Sequence, residues 1–192
     1  MAYKDDLTKF IKVREGFSAK AYKCPNGFTT IGYGHNLETN PISKTAANQI
    51  LADDLKKIYS LMKDKDLAYL AELPDNWQFV CADMLFNLGK AKFLGMRRLN
   101  AALFNKHYDW ALAELVDSAW FFQVGDRSKL LWLIADLCIS TGMDLLNLDS
   151  KSIKAEFYNY YADWYERAVD EGGFAVASRV RKLYEVAIDY LE

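Results

Sequence analysis

Over most of this 192-residue chain apolar side chains recur at three- and four-residue intervals, and residues 17 to 35 are where that rhythm breaks. Within the break, Pro25-Asn26-Gly27 is a strong turn signal between two short runs of aromatic and β-branched residues. Proline presets one corner of such a turn, and glycine accepts the left-handed backbone that a tight return requires. The spacing predicts a small hairpin sheet inside an otherwise helical protein, an α+β fold.

The flanking segments read as helices. Residues 3 to 14 carry Leu7, Phe10, Ile11 and Val13 on roughly one side, a short amphipathic helix stopped by Gly16. After Asn40-Pro41, Ser43 is the candidate N-cap of a long helix striped with Ile50, Leu51, Leu55, Ile58, Leu61 and Met62, expected to join two lobes. Pro74-Asp75 opens NWQFVCADMLFNL, which ends at Gly89 and is apolar nearly all round, so a central buried helix is expected. Shorter helices are expected near 96 to 105, 108 to 117 and 126 to 139. Ile153, Phe157, Tyr160 or Tyr161, Trp164 and Ala168 mark another, and a last helix from about 175 uses Val176, Val180, Leu183, Ala187 and Leu191. The chain reads as one domain over 1–192. It has a small hairpin lobe with its linking helix over about 12–60, and a helical lobe over about 61–192 to which the N-terminal helix also belongs.

With 52% hydrophobic and 26% charged residues, the chain has the apolar material that disordered chains lack. A net charge of -2 supplies no global basic field, so neither nucleic acid nor a membrane surface is an expected partner. The opening MAYKDDLTKFIKVREGF alternates charge with apolar residues, and neither a signal peptide nor a transmembrane segment is expected there. Cys24, Cys81 and Cys138 lie far apart without a Cys-x-x-Cys pair, which suits reduced thiols; Cys81 and Cys138 sit inside apolar runs. With only His35 and His107 to help, no metal site is expected, and no cofactor.

Glu15 falls at the end of the first helix, where the helix dipole disfavours negative charge by roughly 0.3 to 1 kcal/mol. A carboxyl placed there, in apolar surroundings above all, holds its proton longer, which suits a general acid. Along Thr30-Ile31-Gly32-Tyr33-Gly34-His35, strand alternation would put Thr30, Gly32 and Gly34 on a small polar face with room for a flat ligand, and Ile31, Tyr33 and His35 on a packed one.

The spacing Glu15-x8-Cys24-x5-Thr30, followed by TIGYGH at 30 to 35, resembles the phage-type lysozymes, the muramidase endolysins of tailed bacteriophages. Ile42-Ser43-Lys44, FNLGKAKF at 86 to 93 and DSAWFFQVGDRSKLL at 117 to 131 extend the likeness over about residues 5 to 131. The resemblance implies a lysozyme-like fold and hydrolysis of the β-1,4 bond between N-acetylmuramic acid and N-acetylglucosamine in peptidoglycan. It makes Glu15 the acid, with Cys24 and Thr30 managing the opposite face of the sugar as nucleophile, base or water-positioner. It places Gly32, Gly34, Phe86 and Asn87 at the substrate, pairs Asp54 with His35, and sets Arg127 to contact the catalytic glutamate from the other lobe. Peptidoglycan glycan strands are the implied partner and a monomer the expected state. The implied location is the host bacterial cytoplasm until release to the wall.

Taken singly, each residue has a plainer reading. Glu15 alone is a solvated helix-end glutamate, Cys24 a small buried hydrophobe and Thr30 a strand residue. His35 is explained by a structural pair with Asp54, and Arg127 by a surface cation, with Arg179 or Arg181 as rivals for its role. Phe86, Asn87, Trp120 and Gln123 fit a cleft wall or a core equally. Tyr158 to Trp164 fit a helical core stripe better than a sugar platform. Cysteine in place of the pattern's alternative, aspartate, together with the long C-terminal extension, motivates a second function: a muramidase-fold module that binds peptidoglycan or scaffolds without turnover. An antagonism toxin with an immunity partner ranks third, since the sequence offers no delivery domain.

Overall fold

A computed structural model describes residues 2–136, 147–170, 177–182 and 185. Helices dominate, with one three-stranded antiparallel sheet near the start, so the chain has the α+β, mostly helical character expected of it. Contacts divide it into two compact units, 1–53 and 54–192, with the N-terminal helix grouped in the first.

The first unit opens with α1 (Ala2–Glu15), closed where Gly16 donates its N–H to the Lys12 carbonyl at a φ of 66°. Its apolar residues Leu7, Phe10, Ile11 and Val13 are exposed. Strands β1 (Ser18–Lys23), β2 (Thr29–Gly32) and β3 (His35–Asn36) follow, paired in chain order. Tyr22 faces Thr30 and Lys23 faces Thr29, with an irregularity between Ser18 and Tyr22; Thr30 faces Asn36 and Ile31 faces His35. The β1–β2 connection is the turn that the sequence signals. Cys24 N–H donates to the Phe28 carbonyl at 3.0 Å, Gly27 N–H donates to the Cys24 carbonyl at 2.8 Å, and Gly27 takes a φ of 83°. That is a three-residue hairpin loop closed by a left-handed glycine.

The alternation expected across 30 to 35 does not run through. Gly32 and Gly34 take φ values of 68° and 76°, so 32 to 34 form a second reversal between β2 and β3. Tyr33, expected on a packed face, is therefore exposed and meets the Phe17 ring at 5.3 Å.

Helix α2 (Lys44–Leu61) begins as the sequence requires, with Ser43 Oγ accepting the Ala46 N–H at 3.1 Å. Its stripe divides: Ile50 and Leu51 are exposed, while Ile58, Leu61 and Met62 pack against the core of the second unit.

In that second unit a 3₁₀ turn (Ala68–Glu72) precedes α3 (Asp75–Leu88), α4 (Lys90–Gly95), α5 (Arg97–Phe104), α6 (Tyr108–Val116), α7 (Ala119–Gln123), α8 (Asp126–Asp136) and α9 (Ser150–Asp170). Helix α3 buries Trp77, Val80, Cys81, Met84 and Leu85 and ends at Gly89, the central role expected of it. The 3₁₀ turn, α4 and α7 have no counterpart in the sequence reading, because five or six residues are too few to display a helical period. Helix α9 buries Ile153, Phe157, Tyr161 and Trp164, which settles the choice between Tyr160 and Tyr161. Residues 177–182 are helical, with Val180 buried at 2%. Cys138, Val176, Leu183, Ala187 and Leu191, and the stretch expected to carry α8 on to 139, lie outside the described residues.

Candidate active site

Glu15 is the last residue of α1, at the helix end where the sequence places it, and it is exposed. Its carboxyl lies against the backbone of Gly34: a methyl group added to that glycine would come within 2.8 Å of Oε2 and 3.2 Å of Cδ. The room that alternation reserved for a ligand at Gly34 is thus taken up by the glutamate. At Gly32 the space is open, with nothing within 4 Å of an added methyl. Glycine at 34 has two independent reasons, a positive φ and a carboxyl where a side chain would stand.

Cys24 and Thr30 flank the β1–β2 turn. The Cys24 thiol is half-buried and unbridged, and Thr30 is buried at 4%. Burial pushes the thiol pKa up, but hydrogen bonds from the Asn26 and Phe28 main chain, the Thr30 hydroxyl and the main chain of Cys24 outweigh it, so the net shift is downward. The Thr30 hydroxyl also stands 3.2 Å from the Phe28 carbonyl. It carries one proton for two acceptors, so it can serve the carbonyl while the sulfur is a thiol and turn to the sulfur when that is a thiolate. Cys81, by contrast, is fully buried, and burial alone drives its pKa strongly upward.

A polar hub missed by the sequence reading fixes the sheet around these groups. Glu38 Oε1 accepts from Lys23 Nζ at 2.9 Å, from the Thr29 N–H at 2.9 Å and from the Thr29 hydroxyl at 2.8 Å. The Lys23 ammonium, then the Thr29 groups, hold the Glu38 carboxyl down at about 2. Lys23 Nζ also donates to Thr29 Oγ1 at 2.8 Å, so one cluster ties both sides of the Cys24 turn to the segment after β3. Asn36 Oδ1 accepts the N–H groups of Glu38 and Thr39, which aims the carboxylate back. An Asx residue two positions before a glutamate was the available signal.

His35 is half-buried, and its Nε2 is buried without a hydrogen-bond partner among the described residues. Asp54, its implied partner, is ion-paired at 2.9 Å with Lys57 on its own helix.

In the second unit, Arg127 is more than a plain surface cation. Its Nε and Nη2 donate to the two carboxylate oxygens of Asp83 at 3.0 and 2.5 Å, a bidentate fork that fixes the guanidinium plane and holds its charge more firmly. Asp83 also went unread, though an acid in the middle of the apolar α3 was its signal. Phe86 and Asn87 are exposed at the end of α3, and Asn87 Oδ1 accepts the indole N–H of buried Trp120 at 3.0 Å. Gln123 is exposed on α7. Of the rival cations, Arg179 pairs with Asp117, and Arg181 pairs with Glu185 at 2.8 Å. The aromatic run 158 to 164 supplies Tyr161 and Trp164 to the core, as the helical stripe indicated.

Among the described residues no cluster of His, Cys, Asp and Glu could hold a metal ion, and no helix is long and apolar enough to cross a membrane.

The profile of the phage lysozyme family matches residues 12–131, the stretch that holds Glu15, Cys24, Thr30 and Arg127. The endolysin of Acyrthosiphon pisum secondary endosymbiont phage 1 is 28% identical over 130 residues, covering 65% of this chain and 84% of that protein. With more than half its length matched, and with the acid, thiol and hydroxyl in the order described, the chain belongs to the phage lysozyme family.

Proposed function

We propose that this protein is an endolysin-type muramidase that hydrolyses the β-1,4 bond between N-acetylmuramic acid and N-acetylglucosamine. The observation that carries this is the Glu15 carboxyl laid on Gly34 in the same small unit as a hydrogen-bonded Cys24–Thr30 pair. In this reading the Glu15 carboxyl gives its proton to the leaving glycosidic oxygen as the bond to the anomeric carbon breaks. A water held by Thr30 and the Cys24 thiolate adds its oxygen to that carbon, and its proton passes to the thiolate, leaving a thiol. Solvent then returns a proton from the thiol side to Glu15, and the cycle balances. Attack from the face opposite the leaving group inverts the anomeric centre. Gly32, with open space before it, lets the sugar approach main chain, and Phe86 and Asn87 line the substrate. His35, Asp54 and Arg127 have supporting roles.

The test compares wild type with Glu15→Gln on purified peptidoglycan. New reducing ends are expected from wild type, with the variant slower by about 10² to 10⁴-fold, the usual worth of general acid catalysis. Equal silence from both would favour the non-hydrolytic binding module. Retention of the protein in the host cytoplasm until a separate agent opens the membrane belongs to the same proposal; fractionation of expressing cells tests it.

A further inference from the structure

A cavity of about 420 Å³ in the second unit, walled by α5, α6 and residue 179, takes no part in the reaction assigned to Glu15, Cys24 and Thr30. Trp110 lines it and is 55% exposed, although its neighbours Ala111, Leu112, Leu115 and Val116 on α6 are buried. A large ring turned away from the core, beside a concave surface, is what a ligand site looks like before it is filled. The His107 ring packs against the indole edge-on at 5.3 Å and limits its rotation.

Across the cavity from this apolar plate the chemistry is polar. Glu114 is half-buried; burial pushes its carboxyl up, against the opposing pull of Arg98 and Arg179. Arg179 is itself steadied by Asp117. Counting the adjoining hollow, the guanidinium groups of Arg97, Arg98 and Arg179 are opposed by the Glu114 and Asp117 carboxyls, a balance only slightly positive, which argues against a strongly anionic ligand. A second hollow of about 370 Å³ shares Arg98, Glu114 and Arg179, so the groove is long enough for more than one ring. A sugar presents both features at once, an apolar C–H face for an indole and hydroxyl and amide groups for carboxyl and guanidinium partners.

We propose that this groove is a second glycan-binding site, in which Trp110 stacks on an N-acetylhexosamine ring and Glu114, Arg98 and Arg179 hydrogen-bond its polar groups. The choice of glycan rests on the muramidase reading. Such a site holds the chain on the wall polymer at a place separate from the bond-cleaving groups.

The test titrates the full-length Glu15→Gln protein, isotopically labelled, with tetra-N-acetylchitotetraose. The Trp110 indole N–H signal, identified by its loss in Trp110→Phe, is expected to move and saturate. Trp110→Ala is expected to raise the Kd for sedimentation with insoluble peptidoglycan about tenfold, with turnover of a short soluble glycan unchanged. Glu114→Ala should weaken sedimentation as well. A Trp110 signal that stays fixed while the sugar binds elsewhere overturns the proposal. So does a signal that moves with a stem peptide and not with the sugar. If wild type proves inactive, the muramidase reading fails by itself, because the Trp110 shift is measured without turnover.

Discussion

Alanine at Gly34 separates the geometry of the acid from the stability of the sheet. The φ of 76° charges any residue with a Cβ roughly 1 to 2 kcal/mol of backbone strain. Gly27→Ala incurs a similar strain at 83°, but its added methyl meets nothing within 4 Å, so it serves as the control. At 34 the methyl would stand 2.8 Å from Glu15 Oε2, inside the 3.4 Å at which ordinary contact begins. The carboxyl is the far end of a flexible, exposed side chain, so it gives way by at least about 0.6 Å at small energetic expense. The two variants should therefore melt within a few degrees of each other, since both lose the same backbone term. Activity should not follow suit. A misplacement of about 1 Å in a reacting group can cost about 10²-fold, so Gly34→Ala is expected to release reducing ends from peptidoglycan about tenfold or more slowly than Gly27→Ala. Comparable rates for the two, at comparable melting temperatures, would refute the claim that the position of the Glu15 carboxyl against Gly34 matters to turnover.

Iodoacetamide at neutral pH should label Cys24 well before Cys81 in peptide mapping of the native protein, because the first thiol is lowered and half-exposed and the second is raised and buried. Thr30→Val should slow that labelling; alkylation should stop turnover, and Cys24→Asp should preserve it where Cys24→Ala does not. The Glu38 carboxyl, at about 2 in the fold against roughly 4.3 when free, contributes stability that is complete above the free value and disappears as pH falls through the folded one. Melting curves should accordingly show Glu38→Gln less stable than wild type at pH 6, with the gap closing between about pH 4.3 and 2. Phe157, fully buried with its ring 5.2 Å from Trp132 and 5.6 Å from Phe121, should cost about 3 to 5 kcal/mol in urea unfolding when cut to alanine.

Local chemistry made much of the fold legible. Ser43, Gly16 and Gly89 mark helix ends through groups they themselves supply, and the Pro25-Asn26-Gly27 turn needs only its own residues. The stripe on α9 was readable over its 21 residues, whereas the five of α7 were not. At the site, order along the chain exposed Glu15, Cys24 and Thr30 as a set. It did not disclose that Gly32 and Gly34 would end β2, because two glycines permit a reversal as readily as a strand. The Glu38 hub and the Asp83–Arg127 fork were hidden for another reason: they join residues 6 to 44 positions apart through side chains whose types are common on any surface.

The β1–β2 turn is closed at position 24 by main-chain groups, one N–H given and one carbonyl accepting, and its proline and glycine lie elsewhere. Nothing in the closure depends on sulfur. A thiol, a carboxylate or an amide can occupy that socket while the loop around it keeps its shape, so on the proposed mechanism the group at position 24 is interchangeable in a way that Glu15, lying against a glycine, is not. Chemistry at this end of the sheet can drift by single substitutions, and the architecture need not follow.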